Sequence, residues 1–335
     1  MRDKKHSIFN NLNRRLYKHL FSVCILLLGG NMIAQTKTNV SNQPVELGKV
    51  SWFRDYNEAL QESKSTGKPI FMLFQEVPGC STCVNYGNQV LSFPLMVEAI
   101  ENSFVPLAIY NNKGGKDKEI LERYKEPSWN NPVVHFINSS GDDIIPKVAN
   151  TYHPISIYNA MLNALETTQK EIPAYVKVLG YDLVHKYGVT KEAVYTMSCF
   201  WTGESVLGRH PGVLTTDPGW IGSYEVVKVL YNPEMVTKEE LDGYASKRHI
   251  KTFSKSDAYK TDRDSQYYLK NSYFRYMPLS MVQRTKVNAA IADNEDPTIY
   301  LSPKQLDQYN ELKKSGGLPS AELYSLPFET LWNSN

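Results

Sequence analysis

Cysteine is scarce in this sequence, and so is an excess of charge of either sign. The 335 residues include four cysteines, too few for a scaffold held together by disulfides. The 37 basic and 35 acidic residues give a net charge of +2, which argues against the basic surface that nucleic-acid binding needs. A composition close to the globular average excludes disordered and collagen-like chains. At this length we expect two domains.

The amino terminus is first basic and then apolar. Residues 1–20 hold six basic residues and one acidic residue, and residues 21–34 are uncharged. This order is typical of a secretory signal peptide, because the apolar run falls short of the about 20 residues of a membrane span. An uncleaved anchor is the alternative. We expect a signal peptide at 1–34, a linker at 35–47, and a secreted mature protein, periplasmic or otherwise extracytoplasmic, with no membrane span.

Removal of the signal peptide would also remove Cys24. Three cysteines then remain, namely Cys80, Cys83 and Cys199. An odd number of cysteines in an exported protein indicates a reactive thiol. A close pair and a distant single cysteine are therefore the candidate redox groups of the chain.

The close pair lies between a predicted strand and a predicted helix. A helix N-terminus stabilises a thiolate at Cys80, and the spacing puts Cys83 within reach to resolve a mixed disulfide. Zinc sites use the same spacing, but no second CxxC or nearby histidine pair supplies further ligands, so we expect no metal. An inert structural disulfide is the other alternative.

With its order of strands and helices, this region resembles a thioredoxin-fold domain, over residues 48–168. The resemblance implies that Pro132, before a strand predicted at 133–137, is a cis-proline that faces the disulfide. The chain departs from the family pattern just before Cys80, where Pro78 and Gly79 replace the usual tryptophan.

The single cysteine follows a strand predicted at 193–197 and precedes a predicted helix. A buried cysteine among core aromatic residues is the simplest interpretation of such a residue. The neighbouring residues favour a reactive cysteine instead. Short groups of uncommon residues follow one another in a defined order at 198–201, 204, 211–213, 219–222, 225–233 and 262–267. This series resembles the A-type methionine sulfoxide reductase family, over about 190–270.

The resemblance implies a role for each matching residue. Cys199 would attack the sulfoxide sulfur, and Glu225, with a pKa raised by an apolar pocket, would protonate the departing oxygen. The residues that would contact the substrate are Phe200, Trp201, Trp220, Asp262 and Tyr267. Two departures alter this site: Trp220 stands where the family has a tyrosine, and Ser223 replaces a histidine.

The family's recycling cysteines are missing, because no cysteine follows Cys199. Attack on a sulfoxide leaves a sulfenic acid, which another thiol must reduce. Cys80 or Cys83 would supply that thiol, and an external thiol or thioredoxin-like protein would then reduce the pair, without any other cofactor. The expected substrates are free methionine sulfoxide and oxidised proteins.

The predicted fold is α/β, with a thioredoxin-like domain at 48–168 followed by an α+β methionine sulfoxide reductase A-like domain at 172–335. The predicted enzyme is an exported peptide-methionine (S)-S-oxide reductase. Two alternatives stay open. One is a disulfide reductase whose degenerate second domain only binds a client protein, and the other is a soft-metal binder that uses three thiolates.

Overall fold

The apolar run that follows Pro69 becomes the central strand of a three-stranded sheet in the computed structural model. The structure describes residues 37–129, 132–254, 258–316 and 321–334, so the predicted signal peptide lies outside the described residues. Strand β1 pairs in parallel with β2 and antiparallel with β3. The elements of this first part are α1 (Tyr56–Thr66), β1 (Ile70–Gln75), α2 (Ser81–Gln89), α3 (Pro94–Ser103), β2 (Val105–Tyr110), α4 (Lys116–Tyr124), β3 (Val133–Ile137) and α5 (Pro154–Thr167).

Local sequence explains where these helices begin and end. The Asp55 carboxylate accepts the N–H groups of the first turn of α1, and Gly67 ends that helix in the left-handed conformation. The sequence pattern after Cys83 predicts one helical stretch up to about Ile100, and this prediction is wrong. The structure has two helices, α2 and α3, because Pro94 lacks an N–H and starts a new helix.

The segment before α1 is packed against the first sheet and differs from the free linker predicted at 35–47. The side chain of Leu47 is fully buried. The Thr38 hydroxyl accepts the backbone N–H of Trp52 at 2.9 Å, and the indole of Trp52 donates to the Leu47 carbonyl at 2.9 Å. Leu47 therefore contributes to the core of the first part, and hydrogen bonds hold the rest of the segment beside it.

The second part is built on a five-stranded sheet with the strand order β7-β4-β6-β5-β8, all paired antiparallel. Its strands and the helices around them are α6 (Ala174–Tyr187), β4 (Lys191–Thr196), α7 (Phe200–Gly208), β5 (Val213–Ile221), β6 (Tyr224–Tyr231), α8 (Lys238–Ser246), β7 (Lys251–Thr252), β8 (Tyr259–Thr261), α9 (Tyr267–Lys270), α10 (Met281–Ala292), α11 (Pro303–Ser315) and α12 (Phe328–Ser334).

Residues from Thr38 onward form one compact unit. The two sheets meet through helices, since α3 and α6 contribute to one hydrophobic core that also includes Leu214 of β5. Glu98 of α3 reinforces this packing, because its carboxylate accepts the backbone N–H of Lys304 at the start of α11 at 3.1 Å. Among the helices of the described residues, none is both long enough and apolar enough to cross a bilayer.

Candidate functional site

The paired cysteines lie where β1 ends and α2 begins. Cys80 is the N-cap residue of α2 and is exposed, whereas Cys83, one turn into the helix, is buried. Their sulfur atoms are 3.9 Å apart and neither cysteine is in a disulfide. A disulfide bond is about 2.05 Å long, so this is the reduced pair, with the two sulfur atoms side by side.

The two thiols differ in acidity. The backbone N–H of Cys83 and then that of Thr82 lower the pKa of the Cys80 thiol, as the free N–H groups at the start of a helix do. Burial raises the pKa of the Cys83 thiol to about 11. Cys80 is therefore the better nucleophile, and Cys83 is placed to attack a disulfide formed on Cys80.

The loop before Cys80 is fixed by close packing and side-chain hydrogen bonds. A Cβ atom on Gly79 would lie 2.5 Å from the Cβ of Cys83, so only glycine fits there. The Gly79 N–H donates to the buried carboxylate of Glu46 at 2.7 Å, and the side-chain amide of Asn112 donates to the Pro78 carbonyl at 3.1 Å. The Pro78 and Gly79 pair, a departure from the family pattern, thus has a structural role.

Glu76 is a site residue that the sequence analysis missed. A carboxylate oxygen of Glu76 and the sulfur atoms of Cys80 and Cys83 all lie within 4.8 Å of one another. The only signal in the sequence was its place four residues before Cys80, because a glutamate at the end of an apolar strand is otherwise an ordinary surface residue.

Pro132 is buried and immediately precedes β3. Since Val133 pairs with Phe74 of β1, Pro132 lies at the sheet end from which the loop to Cys80 departs. The predicted cis bond involves Asn131, which lies outside the described residues. A cis peptide bond is present elsewhere, between Val77 and Pro78.

Cys199 lies at a comparable junction, between β4 and α7. It is the N-cap residue of α7 and is partly exposed. The half-buried side chain of Glu225 accepts the backbone N–H of Phe200 at 2.8 Å, which holds this carboxylate at the same helix N-terminus. Glu225 is paired with Trp220 in the β5–β6 hairpin. The hairpin therefore carries both residues to the start of α7.

The aromatic side chains predicted to contact the substrate converge beside Cys199. The ring of Phe200 packs edge to face against Trp220 at 5.5 Å and against Trp201 at 5.9 Å. Trp201 is stacked on Tyr267, with ring centroids 4.0 Å apart and an angle of 11°. The Trp220 indole donates to the Asp262 carboxylate at 3.0 Å. The structure thus brings together residues that are widely separated in the sequence.

Glu204 supports this cluster from inside the protein. Its buried carboxylate accepts the backbone N–H of Gln266 at 3.0 Å and the side-chain amide of Gln266 at 2.8 Å. Gln266 adopts a positive φ of 58° directly before Tyr267. Burial raises the pKa of Glu204 well above its usual value. Glu204 belongs to the motif series of the sequence, and these contacts assign it to the positioning of Tyr267.

The single cysteine does not join the paired cysteines in this conformation. The group of side chains within 4.8 Å of both paired sulfurs contains Glu76 and not Cys199. The two thiol sites are therefore not in direct contact in this conformation.

Known proteins resemble both parts of the chain. Residues 51–139 match the family model described as thioredoxin-like. The peptide methionine sulfoxide reductases MsrA of Salinispora tropica and Salinispora arenicola are 38% and 36% identical to this chain over 83 aligned residues. The matches cover 19% of this chain and 38% of each relative, so the chain spans less than half the length of these curated proteins.

Among solved structures, a protein titled DsbH Oxidoreductase is 19% identical, with a TM-score of 0.30, and the match covers 40% of this chain and 96% of that chain. The family match confirms the resemblance of the first part, and the similarity to the two reductases is consistent with the predicted resemblance to the A-type methionine sulfoxide reductases. The chain carries a thioredoxin-like domain and a stretch of sequence similar to the A-type peptide methionine sulfoxide reductases.

Proposed function

We propose that this protein is a thiol oxidoreductase that reduces methionine-S-sulfoxide at Cys199. The observation that carries the proposal is the arrangement at the start of α7, where Glu225 and four aromatic side chains surround the helix end that holds Cys199. A thiol nucleophile, a carboxyl group for proton transfer and an aromatic slot for a methyl group are what this reaction requires.

The reaction begins with the Cys199 thiolate, which forms a bond to the sulfoxide sulfur. The sulfoxide oxygen takes up protons, one of them from the Glu225 carboxyl group. The protonated oxygen departs as water. A water molecule then attacks the Cys199 sulfur, the bond between the two sulfur atoms breaks, methionine leaves as the reduced thioether, and Cys199 is left as a sulfenic acid. The buried indole N–H of Trp201 has no partner among the described residues and supplies a further hydrogen-bond donor for the substrate oxygen.

Recycling of Cys199 by the paired cysteines is the second part of the proposal. The Cys80 thiolate attacks the sulfenic sulfur and water leaves, which gives a disulfide between Cys80 and Cys199. Cys83 then attacks the Cys80 sulfur, so that Cys199 is released as a thiol and the pair becomes a disulfide. Because the two sites are separate in this conformation, the transfer requires a movement of one site or a second molecule of the protein.

The donor and the location complete the proposal. An external dithiol protein reduces the Cys80–Cys83 disulfide, and residues 1–34 direct the chain out of the cytoplasm. Cell fractionation and amino-terminal sequencing of the protein test the export. An intact amino terminus in the cytoplasmic fraction would contradict it.

The reductase activity is tested with purified protein, dithiothreitol and the separated S and R isomers of N-acetylmethionine sulfoxide. We expect turnover of the S isomer alone. The variant Cys199→Ser should abolish it, whereas the double variant Cys80→Ser/Cys83→Ser should keep it, since dithiothreitol replaces the pair. Absence of turnover, or equal rates for wild type and Cys199→Ser, would contradict the proposal.

A second candidate function is a disulfide reductase whose second domain only binds a client protein. The hydrogen bonds of Asp262 favour this candidate. Its carboxylate accepts the Trp220 indole N–H and, at 2.8 Å, the Asp264 N–H, so both oxygens are already engaged by the protein instead of a substrate. This candidate predicts reduction of insulin disulfides that depends on Cys80 and is unchanged in Cys199→Ser, with no turnover of sulfoxide.

A further inference from the structure

The reduced cysteine pair has the spacing of two sulfur ligands of one metal ion. Two thiolates bound to a tetrahedral zinc ion at about 2.3 Å lie about 3.8 Å from each other. The sulfur atoms of Cys80 and Cys83 are 3.9 Å apart. A metal ion therefore needs almost no rearrangement of this pair.

Glu76 adds an oxygen atom to the two sulfurs. Its carboxylate oxygen lies within 4.8 Å of both sulfur atoms, which is near enough to make it the third ligand of an ion held by the two sulfurs. In the part of the chain that the structure describes, the Glu76 carboxylate makes no hydrogen bond or ion pair that would compete with this role. The sequence disfavoured zinc because no second CxxC or nearby histidine pair was available, and the Glu76 carboxylate was not considered as a ligand.

We propose that Glu76, Cys80 and Cys83 form a binding site for Zn²⁺ or a similar thiophilic divalent cation when the cysteines are reduced. Two sulfur ligands and one oxygen ligand leave the fourth position of the tetrahedron to water, the pattern of zinc sites that remain open. Binding releases the two thiol protons and transfers no electrons. A bound cation occupies the sulfur lone pair with which Cys80 attacks its substrate, so the pair cannot act as a reductant while the cation is bound. This consequence rests on the proposed function.

The binding itself is tested by titration of the anaerobically reduced full chain with ZnCl₂ against a chromophoric zinc indicator. We expect one tightly bound ion per chain, and no tight binding by Cys80→Ser/Cys83→Ser. Substitution of a residue that only supports a metal ligand costs 10–100-fold in affinity, so Glu76→Gln, which loses a ligand, should bind at least about tenfold more weakly. Co²⁺ should give a thiolate charge-transfer absorption that the double cysteine variant lacks.

Two controls separate the site from general effects. Glu58→Gln changes a half-buried glutamate of α1 and should bind zinc like the wild type. Cys199→Ser should also bind normally, which assigns the sulfur ligands to the pair. Equal affinity of Glu76→Gln and wild type, or equal binding by the double cysteine variant, would overturn the proposal. Absence of sulfoxide turnover would leave this titration unchanged, so the two proposals fail separately.

Discussion

Cys80 and Cys83 share one helical turn, yet their environments give them different chemistry. Cys80 is exposed and receives backbone N–H groups, and Cys83 is buried. The sequence predicted this division of roles from the spacing alone. The carboxylate of Glu76 could not be predicted in the same way, because its position depends on the path of the loop that Gly79 and Pro78 define.

The first prediction concerns the reactivity of these two thiols. Iodoacetamide at pH 7 should modify Cys80 well before Cys83, since alkylation requires a thiolate and the pKa of Cys83 is about 11. Timed quenching followed by peptide mass spectrometry measures both rates. Preferential modification of Cys83 would contradict the assignment of Cys80 as the nucleophile.

The second prediction concerns Glu204, which acts on Tyr267 through Gln266. The variant Glu204→Ala leaves two buried donors of Gln266 without an acceptor, so we expect a loss of about 3 kcal/mol in the free energy of unfolding. Urea denaturation measures it, with exposed Glu239→Ala on α8 as the control. The tryptophan fluorescence of the folded variant should also change, because Trp201 is stacked on Tyr267. A stability equal to that of the control would contradict this role.

At the scale of elements, the helix that carries Cys199 is held at its other end by a buried lysine. The Lys286 ammonium of α10 donates to the carbonyls of Gly208, His210 and Val213 at 2.8–2.9 Å. Burial lowers the pKa of Lys286 to about 7, but three carbonyl acceptors match the three donors of the charged ammonium. Lys286 thus stabilises the C-terminus of α7 and the turn into β5.

The third prediction follows from this contact. Lys286→Met keeps the apolar stem but removes three buried hydrogen bonds to carbonyl groups, so the free energy of unfolding should fall by about 3 kcal/mol. The urea midpoint should fall while the slope of the transition stays constant. The exposed Lys247→Met, after α8, is the control and should change stability by less than about 0.5 kcal/mol. A loss no larger than that of the control would refute the role of Lys286.

The fourth prediction concerns pH and the start of α10, where Asp182 of α6 is fully enclosed. Burial raises the pKa of Asp182 to about 7, although the Ser280 hydroxyl and the Val282 N–H donate to it. The folded state therefore favours the protonated acid. The contribution of Asp182 to the free energy of unfolding is fully present below the ordinary pKa of 3.8 and is lost as the pH rises towards 7. The total loss is on the order of 4 kcal/mol.

Thermal unfolding between pH 4 and pH 8 tests this linkage. The wild type should lose stability relative to Asp182→Asn as the pH rises, because asparagine has no proton to lose. Asp307→Asn, a substitution on the outer part of α11, is the matched control. If the stability of wild type and that of Asp182→Asn change with pH in parallel, ionisation of Asp182 does not destabilise the folded state and this prediction is wrong.

The sequence predicted the strands β1, β2, β3, β4 and β6 because each is a local apolar run, but it merged α2 and α3 into one helix. It predicted neither α10 nor α11. Their packed faces contain Gln283 and Gln305, which are buried and exchange side-chain hydrogen bonds at 2.7 and 3.0 Å. A buried amide pair looks polar in a hydropathy pattern, so the periodicity of these helices is invisible until both partners are known.

At the scale of the whole molecule, the two sheets share a core while their thiol sites lie apart. The motif order predicted that Phe200, Trp201, Glu225, Asp262 and Tyr267 would meet, and they do. It could not predict the separation of Cys199 from the pair, because that depends on how α3, α6 and α11 pack, and no motif records this packing. The hydrogen bond from the Lys304 N–H at the start of α11 to Glu98 of α3 is one of the contacts that fix this packing.

Separate sites lead to a prediction about transfer between molecules. The experiment mixes two variants that should each be inactive with a thioredoxin donor: Cys199→Ser keeps only the pair, and Cys80→Ser/Cys83→Ser keeps only the single thiol. The mixture should regain turnover driven by this donor if the pair of one molecule can reach Cys199 of another. The restored rate should rise with protein concentration. If the wild type reduces sulfoxide in dilute solution but the mixed variants stay inactive, the transfer occurs by movement within one chain.

The most direct test of the central claim is the amount of methionine formed by fully reduced protein without any external donor. Wild type should form about two equivalents, one before and one after the pair is oxidised, and Cys80→Ser/Cys83→Ser should form about one. Cys199→Ser should form none. No methionine from wild type would contradict reduction at Cys199, and one equivalent from both wild type and the double variant would contradict the relay.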